Sequence, residues 1–128
     1  SEAKRIGFKK ILMAGPIGKF IKISAGIFNT HSKVCDARNE IMISNLALMG
    51  APLEFLKEIN KCVTAEGAVE IIDKSEYTDI YNILCNKCKQ RAEQYLHNEV
   101  EVEVYMFKMD KSMLGKSDKA DLLMEEFR

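Results

Sequence analysis

The tightest constraint on the fold is the run Ile11-Leu12-Met13-Ala14, preceded by Lys9-Lys10 and set between Gly7 and Gly15-Pro16. A short, continuous apolar run bounded by turn residues is the pattern of a strand covered on both faces, as in parallel sheets. Before it, Ser1 to Ile6 reads as the end of a helix stopped by Gly7. After it, Ile17, Phe20, Ile21 and Ser24 recur at helical spacing, with Lys19 and Lys22 on another face. Helix, buried strand, glycine turn and helix make up half of an α/β unit. The expected class is therefore α/β, a small, mostly parallel sheet flanked by helices, beginning inside a helix whose preceding strand is missing.

The remaining elements follow from caps and periodicity. Gly26 ends the first full helix, and Ile27 to Lys33 reads as a loop. Asp36 opens a helix to Met49, with Ala37, Ile41, Leu48 and Met42, Leu46, Met49 as adjoining apolar rows, closed by Gly50. Pro52 suits the first helical position, with Leu53, Leu56 and Ile59 inward. Thr64 is an N-cap for a helix through Asp73. Ser75 precedes the longest helix, Tyr77 to His97, whose stripe is Tyr77, Ile80, Tyr81, Leu84, Cys88, Ala92 and Tyr95. Val100, Val102, Val104 and Met106 alternate with Glu101, Glu103 and Tyr105, the pattern of a half-exposed strand. Ser117 is expected to cap a short last helix, with Asp118 and Asp121 in its first turn and Leu122, Leu123 and Phe127 as its apolar residues. Only two strands are legible, and two strands alone are marginal.

The 128 residues suffice for one domain with one core, and 47% apolar and 30% charged residues suit a globular protein. The formal net charge is zero, so no overall field draws the chain to nucleic acid or an anionic membrane. No apolar run approaches the roughly 20 residues of a membrane span. The cysteines, Cys35, Cys62, Cys85 and Cys88, read as reduced thiols of a cytoplasmic protein.

Three linked stretches carry a family resemblance: Gly15-Pro16-Ile17-Gly18-Lys19-Phe20-Ile21-Lys22, then Ala25-Gly26-Ile27-Phe28-Asn29-Thr30-His31-Ser32-Lys33, then Asp36-Ala37-Arg38-Asn39-Glu40-Ile41. Together they resemble the CbiD family of corrin-precursor methyltransferases, and weaker similarity runs through Asn45-Leu46-Ala47 to Val100 and Leu114-Gly115. One departure is Pro16, where the family pattern has His or another polar residue. The resemblance implies a transferase that uses S-adenosylmethionine to methylate ring carbon 1 of cobalt-precorrin-5B in cobalamin biosynthesis. It also implies that residues 1–128 form the C-terminal α/β domain of a larger two-domain enzyme. The N-terminal part would then be absent, and the fragment would be inactive alone.

Each constellation has a functional and a structural reading. Gly15 and Gly18 flank a turn at the carboxyl end of a strand, where α/β sheets bind ligands; the resemblance makes them cofactor-binding, while the plain reading is a tight packing turn. It is not a Walker motif, because Met13 and Phe20 occupy required positions. Lys19 and Lys22 suit the carboxylates of a polyanionic corrinoid, or a solvated helix face. Thr30, His31 and Ser32 stand in a loop before a helix: the hydroxyls cap the helix or hold substrate, and His31 is the candidate acid or base. Asp36 suits the helix dipole, and Arg38 at the same end calls for a dedicated partner such as a carboxylate. Cys85-x-x-Cys88 lies inside a helix without a second ligand pair, which favours packing over metal or redox chemistry.

Two rival functions remain: a non-catalytic tetrapyrrole- or nucleotide-binding module, and a dimerisation domain. The strand at Ile11 to Ala14 can take one neighbour from Val100 to Phe107, so its other edge is expected to stay open and to favour a homodimer.

Overall fold

The computed structural model describes residues 9–28 and 37–128. The helix expected over residues 1–6, and Thr30, His31, Ser32, Cys35 and Asp36, lie outside the described residues. Within them the order is β1 (Lys9–Pro16), α1 (Ile17–Ser24), α2 (Arg38–Leu48), α3 (Leu53–Asn60), α4 (Ala65–Asp73), α5 (Ile80–Tyr95), β2 (Val100–Phe107), β3 (Met113–Lys116) and α6 (Ala120–Glu126).

The sheet has the order β1-β2-β3. β1 and β2 are parallel over their whole length, from Lys9 opposite Val100 to Pro16 opposite Phe107. β3 is antiparallel to β2, pairing Tyr105 with Lys116 and Met106 with Gly115. The sheet is thus small and mixed, its longer pairing parallel, and helices flank it. α5 packs on β2 and α1, while α6 packs on β1 and β2. The core joins Phe20 and Ile21 of α1 to Leu84 and Cys88 of α5 and to Val102, Val104 and Met106 of β2.

Several local signals act where the sequence puts them. Thr64 caps α4 by accepting a hydrogen bond from the Gly67 amide at 3.0 Å. Gly26 (φ 83°) and Gly50 (φ 91°) follow their helices in the left-handed conformation that favours glycine.

The sequence reading is corrected where burial depends on neighbours. β1 is not covered on both faces: it is an edge strand, and Ile11 remains 39% exposed. β2 is not half-exposed: it is the central strand, and Glu103 and Tyr105 are buried along with Val102 and Val104. A third strand exists at Met113–Lys116, too short for any alternation to show. α1 buries Lys22 as well as its apolar face, because α2, α4, α5 and the sheet surround it. Leu48 (82% exposed), Leu53, Tyr95, Leu122 and Phe127 belong to apolar rows but face outward. They sit near element ends, beyond the reach of the neighbouring layer. α5 begins at Ile80; the preceding residues form an i→i+3 turn, with the Ile80 amide bonding the Tyr77 carbonyl. Pro52 is the N-cap of α3 and not its first helical residue.

Ser117 is not the cap of α6, whose N-cap is Lys119. Its hydroxyl instead accepts from the Val104 amide (2.8 Å) and donates to Glu103 Oε1 (2.7 Å). This belongs to a polar seam along β2 where β3 has ended. Glu93 Oε2 accepts from the Val102 amide (2.9 Å), and Lys89 Nζ donates to the Val102 carbonyl (3.2 Å). Side chains thereby satisfy backbone groups that a longer β3 would have bonded. Lys89 also donates to Glu103 (2.7 Å) and Glu93 (2.8 Å). Burial lowers the pKa of Lys89, but these two carboxylates outweigh it and the net shift is upward.

Candidate functional site

β1 runs directly into α1, so the expected glycine turn is the last residue pair of a strand and the first turn of a helix. Gly15 packs tightly against α1, whereas Gly18 keeps an ordinary contact distance from α4. A Cβ on Gly15 would lie 3.3 Å from the Phe20 ring, and one on Gly18 would lie 3.8 Å from the Ala65 Cβ. The Gly15 geometry is that of close packing between strand and helix. Lys19 is exposed in the first turn of α1, whereas Lys22 is buried in its last turn, only 3% exposed.

The carboxyl ends of β1 and β2 enclose a cleft of about 450 Å³, lined by Ala14, Gly15, Pro16, Phe107, Lys108, Met109 and Lys111. Its character is apolar with lysines, and among the described lining residues there is no carboxylate. This is where open α/β sheets bind ligands. Of the candidates named from sequence, Gly15 lines this cleft, and no residue of its β2 side was named. The signal was available: Phe107 to Lys111 follow the last residue of an alternating strand.

The β2–β3 turn that forms the far wall is held firmly. Lys111 adopts a left-handed conformation (φ 71°), and its amide bonds the Lys108 carbonyl at 2.9 Å. Asp110 accepts from the amide (2.9 Å) and hydroxyl (2.6 Å) of Ser112, which lowers its pKa. The Met109 amide donates to Glu66 at the start of α4 (2.8 Å). Asp73 joins three elements by accepting from the Tyr81 hydroxyl (2.8 Å) and pairing with Lys108 (2.9 Å). That hydrogen bond is the chief reason the Lys108 pKa rises. Lys108 is thus committed to Asp73, and among the described lining residues no such ion pair engages Lys111.

Arg38 stands elsewhere. It opens α2 and donates to the Val63 carbonyl at 2.8 Å, while Asn39 donates to the carbonyls of Asn60 (3.1 Å) and Cys62 (2.9 Å). The Arg38 contact to a backbone carbonyl ties α2 to the α3–α4 connection. Gly15, Gly18 and Lys19 sit at the start of α1 and Lys22 in its last turn, while Thr30, His31, Ser32 and Asp36 lie outside the described residues. An eight-residue helix separates those ends by about 12 Å. Among the described candidates, Gly15, Gly18 and Lys19 lie at one end of α1, and Arg38 stands at the start of α2.

Cys85 and Cys88 are fully buried, and the Cys88 thiol donates to the Phe20 carbonyl at 3.0 Å. Burial pushes the Cys85 thiol up to about 12 and raises that of Cys88 as well. Cys62, Cys85 and Cys88 are free, and the described residues contain no cluster suited to a metal ion. Cys85 and Cys88 pack within the core between α5, α1 and β2. No described helix is long and apolar enough to cross a membrane.

The fold is an α/β domain with an open, largely apolar cleft edged by lysines at the carboxyl ends of β1 and β2. The comparisons with known proteins make the family specific. Residues 29–118 match the model of the CbiD C-terminal domain, and the chain belongs to that family. It is similar to the cobalt-precorrin-5B C(1)-methyltransferase of Clostridioides difficile (strain 630), with 66% identity over 98% of this chain and 32% of the relative. The protein of the same name from Listeria welshimeri is 45% identical over 99% of this chain and 35% of its own length. The relative from Citrobacter koseri is 39% identical over 99% of this chain and 34% of its own length. The chain thus spans about a third of the length of the relatives it matches. No solved structure matches it.

Proposed function

We propose that this domain holds the corrinoid substrate of a cobalt-precorrin-5B C(1)-methyltransferase of cobalamin biosynthesis, in the cleft at the carboxyl ends of β1 and β2. The observation that carries this reading is the cleft's composition. Pro16, Phe107 and Met109 offer apolar area to a macrocycle, and Lys111 offers a cation to its acetate and propionate groups, with Lys19 exposed in the first turn of α1 as a further candidate. The lining suits an anion and not a sulfonium, which needs a negative or electron-rich partner.

The methyl donor in this reading is S-adenosylmethionine, which supplies an electrophilic methyl group to a nucleophilic ring carbon. Gly15 leaves the donor little room, because a Cβ there would lie 3.3 Å from the Phe20 ring, and the cleft that Gly15 borders carries lysines. The donor is assigned to residues outside this cleft. The described residues contribute binding and orientation: they fix the macrocycle so that its reacting carbon faces the donor, the proximity effect on which such transfers depend. His31 is assigned any proton transfer, and Thr30, Ser32 and Asp36 contacts to the substrate. Lys22 and Arg38 are assigned structural roles, from their burial and their Val63 tie respectively. The free thiols fit a cytoplasmic setting.

The test is methyl transfer by the full-length protein carrying Lys111→Glu or Phe107→Ala. Each is expected to raise KM for the corrinoid about tenfold or more, with KM for the donor unchanged. Unchanged corrinoid KM in both variants would move the substrate to another site. Absence of transfer by the wild-type protein would remove the activity itself.

A further inference from the structure

The outer edge of β1 has no strand beside it among the described residues. Its core-facing residues are under-covered. Ile11 is in register with Val102 and Met13 with Val104; both valines are fully buried, yet Ile11 is 39% exposed and Met13 only partly buried. The helical layer that seals β2 stops short of β1.

Natural edge strands are usually blunted by outward lysines, prolines or bulges. Here the Lys10 ammonium is drawn over the α6 face, 2.8 Å from Glu126 and 3.9 Å from Glu101. Pro16 lies at the strand's end, where α1 begins. The one register irregularity falls between Met106 and Phe107, in the β2–β3 pairing. Among the described residues nothing shields the centre of the edge, Ile11 to Ala14. Relatives carry about two thirds of their length beyond the matched region.

We propose that this edge is the seam to the remainder of the full-length protein: an extended segment from that remainder adds as a further strand beside Ile11–Ala14 and covers Ile11. A segment on the same chain is favoured over a second copy, because tethering gives an effective concentration of order millimolar.

The test uses the full-length Clostridioides difficile relative, 66% identical to this chain. Amide exchange is read residue by residue over the positions aligned with Ile11 to Ala14, at concentrations about a hundredfold apart. An edge strand bonds only alternate amides to its one neighbour; a strand with two neighbours bonds them consecutively. Consecutive protection of roughly a hundredfold or more, independent of concentration, is expected. A photo-cross-linker at the Ile11 position should then join to an upstream segment of the same chain. Alternating protection would show an open edge and overturn the proposal. Consecutive protection that appears only at high concentration, or cross-links only between chains, would assign the edge to a second copy and overturn it equally.

Discussion

Lys89→Met tests whether the seam on β2 is structural. The variant keeps the aliphatic stem and removes the ammonium, which donates to Glu103 at 2.7 Å, Glu93 at 2.8 Å and the Val102 carbonyl at 3.2 Å. Glu103 is then a carboxylate with no solvent exposure, left with Ser117 Oγ at 2.7 Å and the more distant Lys119 amide at 3.3 Å. Removing one partner of a buried ion pair costs about 3–5 kcal/mol, and an orphaned carbonyl about 1–3 kcal/mol more. The Lys89 side chain is 24% exposed, so water enters the gap and lowers that total. The expected loss is about 3 kcal/mol, equivalent to a fall in Tm of roughly 10 °C for a domain of this size. Urea denaturation of the chain measures it. Glu103→Gln in the Lys89→Met background should recover about half of the loss, since the uncompensated charge is gone. A loss under about 1 kcal/mol, or strictly additive effects in the cycle, would refute the reasoning.

Gly115→Ala should destabilise by about 1–3 kcal/mol in the same assay, because the new Cβ would lie 2.7 Å from the Tyr81 Cβ and 2.8 Å from its backbone carbonyl carbon; an unchanged midpoint would mean β3 can move away from α5. In the full-length enzyme, Lys19→Glu should raise corrinoid KM about tenfold without loss of Tm, whereas Lys22→Glu should lower Tm, since only Lys22 is buried; equal effects on KM would contradict the split. Cys85 should resist thiol reagents until the chain unfolds. Its native pKa of about 12 exceeds the ordinary value of 9.0, so its stability contribution is full below pH 9 and lost as pH rises from 9 toward 12. Denaturation midpoints across alkaline pH check that sign, and a flat profile in which Cys85→Ala behaves as wild type would contradict it. Elemental analysis should find no stoichiometric zinc.

Local chemistry was legible in the sequence wherever a feature is decided within a few residues. Thr64 caps α4 because its hydroxyl meets the Gly67 amide three residues on. Gly26 and Gly50 end helices because the chain needs a positive φ there. The two longer strands and the linked motifs that mark the family are likewise properties of consecutive residues. Half of the cleft was legible for the same reason: Gly15 and Pro16 end a recognisable strand.

Tertiary structure decided what depends on which element lies alongside. The run Ile11–Ala14 reads as buried, but the sheet order makes β1 an edge. The alternation around Glu103 reads as half-exposed, but β2 is central, and Lys89 and Ser117 make burial of a carboxylate tolerable. Leu48 extends a helical stripe whose neighbouring layer ends before reaching it. Lys19 and Lys22 look equivalent three residues apart, yet one is exposed and the other enclosed. β3 and the requirement for Gly115 come from the close approach of β3 to α5. The pairing of Pro16 with Phe107, which brings the two walls of the cleft together, comes from the parallel register. Periodicity reports one element's own faces; burial and convergence are set by long-range packing, which no local window contains.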